Sequence, residues 1–156
     1  LEGVVAIVPA PFVENYVPGA NLYLTGARGK SVRAAQLLVE AVSTLQLSGR
    51  WLQADTYIEA LKDSFSTPDG LLGDEYSTPY LIKNVQGVYD VLVLDGLGDE
   101  RMTDFAKHEI GNLIRTRYDR MKSTIITSRL SIGDIANRYG DRLADPLSEF
   151  MMEVVR

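Results

Sequence analysis

The stretch Asn21-Leu22-Tyr23-Leu24-Thr25-Gly26-Ala27-Arg28-Gly29-Lys30-Ser31 decides the fold. Leu22–Thr25 reads as a buried strand, and the glycines that follow turn the chain without side chains in the way. Behind Lys30, Val32, Ala35, Leu38, Val42 and Leu45 recur on or near one helical face, so a helix is expected from about Ser31 to Leu47. A strand, a loop of bare backbone N–H groups, then a helix opening on a cation and a hydroxyl is the order that holds a nucleoside triphosphate. Gly26, Ala27, Arg28, Gly29, Lys30 and Ser31 are therefore the candidate phosphate-binding set. The usual form of such a loop is Gly-x-x-x-x-Gly-Lys-Ser/Thr. Here Gly26 precedes Gly29 by three positions instead of five, and Leu24 stands where the first glycine would be, so the loop is shorter by two residues. On its own the segment reads equally well as an ordinary strand-to-helix turn.

A second feature changes that balance. Val88-Tyr89-Asp90-Val91-Leu92-Val93-Leu94-Asp95 has the continuous apolar core of a buried parallel strand and ends in a carboxylate. Asp95 is thus placed to orient a phosphate-bound Mg²⁺, with Ser31 as the other candidate metal ligand. A strand-end Asp accepting backbone N–H groups is the plainer alternative. A Gly-Lys-Ser turn after one strand and an Asp closing another is far more specific than either alone.

The remaining pattern is a strand–helix alternation. Arg50–Ala54 reads as a second strand and Asp55 as the N-cap of a helix to about Phe65. Ser66 to Thr78 has loop composition, and Tyr80–Val85 reads as a short helix. A helix over Thr103 to Arg120 carries Ala106, Ile110, Leu113 and Ile114 at helical spacing, Ser123–Thr127 is a fourth strand, Ser131 caps a helix to Tyr139, and Phe150–Val155 is a last strand. Alternation of this kind predicts an α/β three-layer sandwich around a central parallel sheet, with its ligand at the carboxyl ends of the strands.

Composition narrows the chemistry. The 156 residues suit one domain, and 46% hydrophobic with 24% charged residues is an ordinary globular balance. With no cysteine and one histidine, disulfide scaffolds, cysteine–metal sites and Cys-His nucleophiles are excluded. His108 lies beside Lys107 and Glu109 and reads as part of a solvated helix face. A net charge of −5 leaves nucleic-acid contact to a local basic stripe, for which Arg115, Arg117, Arg120 and Lys122 form the densest run. The same run reads as a solvated helix end. Tyr76, Tyr80 and Tyr89 are candidates for base stacking, with packing as the plainer role. No apolar run is long enough for a membrane span and no signal peptide is visible, so no membrane partner and a cytoplasmic location are expected.

Phe12-Val13-Glu14-Asn15-Tyr16, Asn21–Thr25, Val91–Gly98, Asn112–Tyr118 and Ser123–Ser128, in this order and spacing, resemble the AAA+ ATPase module of bacterial and phage helicase loaders of the DnaC type, with transposition helper ATPases of the IstB type as close cousins. The resemblance implies a P-loop NTPase fold with residues 1–20 as a lead-in and 21–156 as the ATPase core, the family's N-terminal partner-binding domain and C-terminal end not being included. It implies ATP and Mg²⁺, with Lys30 on the β- and γ-phosphates, Ser31 on the metal and Asp95 completing the metal shell. It also implies assembly of copies side by side, in a spiral or ring, on single-stranded DNA to deliver a replicative helicase in DNA replication.

Four positions depart from the family pattern. The P-loop is short. Gly96 replaces the acidic residue that polarises the attacking water, with Asp99 and Glu100 following in the same loop. Arg129 stands where the family has a sensor asparagine; a charged donor there is the counterpart assigned to catalysis. In Gly140–Leu147 Arg142 is the candidate arginine finger, and Pro146, expected to interrupt any helix, occupies the later arginine position. These departures keep open a hydrolysis-impaired AAA+ interaction module beside the loader and the transposition helper. A small-molecule kinase lacks recognisable lid arginines.

Overall fold

The structure is a computed structural model, and it describes residues 12–66 and 84–156. In chain order the elements are β1 (Leu22–Thr25), α1 (Lys30–Ser43), β2 (Gly49–Gln53), α2 (Ala54–Ser66), β3 (Val91–Asp95), α3 (Asp104–Asp119), β4 (Ser123–Thr127), α4 (Ile132–Tyr139), a 3₁₀ turn (Asp141–Leu143), α5 (Ala144–Ser148) and β5 (Met151–Val154). The strands form one sheet in the order β2-β3-β4-β1-β5, every pairing parallel. This is the expected α/β three-layer sandwich of a P-loop NTPase.

Strand alternation sorts the two faces. Leu22 and Leu24 of β1, Val91 and Val93 of β3 and Ile125 of β4 pack with Ala34, Leu37 and Ala41 of α1, and Phe12 and Val13 of the lead-in are buried on this face too. Tyr23, Leu92, Leu94 and Ile126 point the other way, onto Tyr57, Ile58 and Leu61 of α2, Ile110, Leu113 and Ile114 of α3, and Ile135 of α4. The helix leaving β1 therefore covers one face and the helix leaving β4 the other. Between these adjacent strands, at their carboxyl ends, the chain parts and opens the crevice where α/β folds bind ligands.

β1 and β4 and the Ser131-capped α4 have the expected bounds; Ser131 Oγ accepts the Asp134 N–H at 3.1 Å. Thr103 and Arg120 turn out to be the caps of α3, the threonine hydroxyl accepting the Ala106 N–H at 3.0 Å. Other expectations need correcting. α1 stops at Ser43 and not at Leu47, because Gln46 adopts a left-handed conformation (φ 57) and the Leu47 N–H returns to the Ala41 carbonyl at 3.1 Å. β2 runs one residue earlier than expected, so Ala54 already starts α2 and Asp55 lies inside its first turn, not at its N-cap. β3 starts at Val91, since the N–H groups of Val88 and Tyr89 both turn back to the Asn84 carbonyl. β5 is Met151–Val154, shorter by a residue at each end than expected. Pro146 does not interrupt a helix: it sits in the first turn of α5, where its missing N–H has no intrahelical partner to lose. The expected 66–78 loop beyond Ser66, most of the 80–85 helix, Tyr76 and Tyr80 lie outside the described residues.

Candidate functional site

β1 ends at Thr25, the loop runs through Gly26–Gly29, and Lys30 opens α1 over the carboxyl edge of the sheet. Gly26 (φ 130) and Gly29 (φ 82) both occupy positive φ, and Gly29 is the N-cap of α1. A Cβ on Gly26 would stand 2.1 Å from the Val155 carbonyl oxygen, so only glycine lets the loop lie against the chain leaving β5. Ala27, Arg28 and Gly29 are exposed, and no acidic residue lies in the first turn of α1. That leaves an uncompensated helix N-terminus facing solvent, the setting in which backbone N–H groups receive an anion.

Asp95 closes β3 at the same edge. Its Oδ1 accepts from Ser31 Oγ at 2.7 Å and from Thr127 Oγ1 at 2.7 Å, and Asp95 is only 8% exposed. Thr127 ends β4, the strand between β3 and β1, and its Oγ1 also accepts the Gly96 N–H at 2.9 Å. Two strands and one helix thus fix a single carboxylate. Lys30 and Asp95 stand at one edge of the sheet, not at opposite ends. Thr127 lies within the Ser123–Ser128 segment of the resemblance but is given no role there; its part in holding Asp95 becomes visible only in this bond pair.

Lys30 Nζ donates to the Gly26 carbonyl at 2.6 Å, across its own loop. An ammonium held there can exchange a neutral acceptor for a charged one, which makes the stronger bond. The donor set fits a magnesium triphosphate. Mg²⁺ is usually held by one or two carboxylates together with substrate phosphates and water, and a hydroxyl 2.7 Å from a strand-end carboxylate is a pair of that kind. No group of three or more His, Cys, Asp or Glu suited to a metal occurs among the described residues, so such an ion depends on ligand oxygens.

The loop after β3 carries two more carboxylates with different fates. Glu100 is 3% exposed; it accepts the Gly98 N–H at 2.8 Å and the Tyr139 hydroxyl and faces Arg138 Nε at 3.8 Å. Burial pushes its carboxyl above the usual range, against the opposing pull of the Gly98 N–H. Asp99 stays partly exposed and pairs with Arg129, whose Nη2 donates to Oδ1 at 2.8 Å.

Arg129 is largely exposed and its guanidinium is engaged by Asp99. Arg142 is exposed in the 3₁₀ turn and donates to Asn112 Oδ1 at 2.7 Å. The Arg115–Lys122 run is not a basic stripe. Arg117 is 0% exposed and donates to the carbonyls of Val85 (2.7 Å), Tyr89 (2.9 Å) and Ser123 (2.7 Å) and to Thr124 Oγ1 (3.1 Å). Burial lowers its pKa to about 10, yet a guanidinium with this many acceptors remains a donor only. Lys122 pairs with Asp90 and Arg115 with Asp119, leaving Arg120 as the exposed end. Tyr89 packs under Arg50, whose guanidinium carbon is 5.9 Å from the ring centroid. His108 is exposed and meets Asn112 Nδ2 at 3.0 Å, as a solvated helix face would have it.

No protein-family model and no curated protein matches the sequence. Solved structures do match. The DnaC helicase loader superposes with a TM-score of 0.78 at 29% identity, over 93% of this chain and 84% of that one. DnaI gives a TM-score of 0.72 at 19% identity over 93% and 79%. The replication initiator DnaA bound to AMPPCP and single-stranded DNA gives 0.71 at 17% over 93% and 43%. At the two lower identities the likeness is one of fold alone. No helix among the described residues is long and apolar enough to cross a membrane. The parallel sheet, the Lys30–Ser31–Asp95 edge and the likeness to the loader together give this chain the AAA+ P-loop NTPase fold in a form resembling the DnaC-type module.

Proposed function

We propose that this chain is the ATP-binding AAA+ module of a helicase loader, which assembles with copies of itself on single-stranded DNA and delivers a replicative helicase. The observation that carries the reading is the 2.7 Å bond from Ser31 to Asp95, with Lys30 beside it at the N-terminus of α1. In this reading Lys30 and the loop N–H groups from Gly26 to Ser31 hold the phosphates, and Ser31 and Asp95 hold Mg²⁺. When bound, the ion supplies charge neutralisation at the phosphate oxygens. Arg142, exposed and bonded to Asn112, is assigned to the nucleotide of a neighbouring copy, and Arg129 acts within its own site. The resemblance to the loader supports the partner assignment.

The test is titration of a fluorescent ATP analogue with Mg²⁺, followed by co-purification with a hexameric helicase and, separately, with a transposase. Binding lost in Lys30→Ala and capture of the helicase are expected. Capture of the transposase alone would reassign the chain to transposition. A second reading, a hydrolysis-impaired interaction module, is favoured by the short loop and by Lys30 lying on its own Gly26 carbonyl. Nucleotide binding without turnover would establish it.

A further inference from the structure

Hydrolysis of a phosphoanhydride requires, besides the metal, a group that orients the attacking water and takes up its proton. The carboxylates on the strand ends and loops around the crevice are Asp95, Asp99, Glu100 and Glu153. Three are engaged. Asp95 receives Ser31 and Thr127 through Oδ1 and belongs to the metal pair. Glu100 is buried, with one oxygen on the Gly98 N–H and the other on the Tyr139 hydroxyl. Glu153 is chelated by Arg33 through both oxygens, at 2.6 and 3.1 Å.

Asp99 differs. Both Arg129 donors, Nε at 3.1 Å and Nη2 at 2.8 Å, converge on its Oδ1. Its Oδ2 accepts no hydrogen bond among the described residues and lies 3.0 Å from where a Cβ on Gly96 would stand. The Asp99 N–H donates to the Gly96 carbonyl at 2.9 Å, closing a turn that folds the carboxylate back over residue 96. Gly96 has φ +73 and no side chain, so the space beside Asp95 is filled by the carboxylate from three positions on. Gly96 N and Asp95 Oδ1 share the Thr127 hydroxyl, which ties this turn to the metal pair.

We propose that Asp99 is the catalytic base of this site, its Oδ2 facing the water, and that Arg129 is the positioning residue that holds it by Oδ1. The inference rests on the triphosphate reading given above. Asp99 Oδ2 accepts a proton as the water oxygen forms a bond to the γ-phosphorus. The bond from that phosphorus to its bridging oxygen breaks, and the electron pair leaves on ADP. The proton then passes from the partly exposed carboxylate to solvent, with inorganic phosphate as the second product.

The full chain with Mg²⁺ is tested in two ways. Affinity for a non-hydrolysable ATP analogue is expected to stay within about twofold in Asp99→Asn, whereas turnover falls roughly 10²- to 10⁴-fold and the bound nucleotide is recovered as ATP. Asp99→Glu should keep more turnover than Asp99→Asn, and Arg129→Lys more than Arg129→Ala, with analogue affinity unchanged and melting curves confirming the fold. Wild-type turnover in Asp99→Asn overturns the proposal, and so does a wild-type chain that holds ATP without ever converting it. A wild-type chain that binds no nucleotide overturns the triphosphate reading itself, and this inference with it.

Discussion

Ser31 in the first turn of α1 and Asp95 at the end of β3 meet through a 2.7 Å hydrogen bond, and Thr127 from β4 donates to the same carboxylate oxygen. One oxygen thus ties α1, β3 and β4 together. Such a group cannot drift toward a ligand or away from it without moving a strand.

Loss of either partner should therefore act on the metal and not on the fold. Ser31→Ala and Asp95→Asn are each expected to weaken Mg²⁺-dependent nucleotide binding by roughly tenfold or more, the scale for groups that hold or orient a metal. Their double variant should lose less than the two losses combined, because the partners act through one interaction. Nucleotide titrations in Mg²⁺ and in chelator check this: the chain and its variants should converge once the metal is removed. Equal losses in both conditions would assign the pair to structure alone.

Arg117 is a second test, of stability this time. Its guanidinium satisfies carbonyls from the segment before β3 and from β4, those of Val85 and Ser123 in buried bonds and that of Tyr89 in a partly buried one. Arg117→Leu leaves those acceptors buried and unpaired, at about 1–3 kcal/mol for each that water cannot reach. A loss of several kcal/mol in urea unfolding is expected, with nucleotide affinity retained in the fraction that folds. A variant as stable as the parent would show that water reaches these carbonyls.

That residue also marks the limit of what could be read from the chain. The sheet was legible because β1 and β4 are short apolar runs bounded by turn residues, and the Lys30–Ser31 and Asp95 ends followed from them. Arg117 was legible in principle, since Ile110, Leu113, Ile114 and Arg117 share one helical stripe, and that spacing puts the arginine on the buried face. Its neighbours Arg115, Arg120 and Lys122 draw it instead into an apparent basic run. Gln46 and Met121, both at positive φ without being glycine, end or redirect segments with no compositional cue. The separate fates of Asp99 and Glu100 depend on Tyr139 and Arg129, which are distant in sequence.

Gly26 offers a backbone test. A Cβ at that position meets the Val155 carbonyl at 2.1 Å, a contact with backbone that no rotamer relieves, and the residue sits at φ 130. Gly26→Ala must push the end of β5 away from the loop, straining the Val155 N–H to Thr25 carbonyl bond of 2.7 Å. A destabilisation of about 2–4 kcal/mol is expected, with faster hydrogen exchange confined to Met151–Val155. Unchanged exchange at β5 would mean that the loop itself yields.

Glu100 sets a pH dependence whose sign follows from its burial. Its carboxyl titrates above the ordinary value of 4.5 in the folded chain, so between 4.5 and the folded value the native state binds more protons than the unfolded one. Stability from this group is then complete below 4.5 and is lost as pH rises through the folded value. Asp90 runs the other way, because the Ser48 N–H and hydroxyl lower its carboxyl below 3.8 and its contribution vanishes as pH falls. Glu100→Gln keeps an acceptor for the Gly98 N–H, removes the titration and leaves Asp90 in place. In urea unfolding across the acid range the parent should therefore lose stability relative to Glu100→Gln as pH rises above 4.5. Parallel curves for the two proteins would mean that Arg138 and the Tyr139 hydroxyl fully offset the cost of burying the charge.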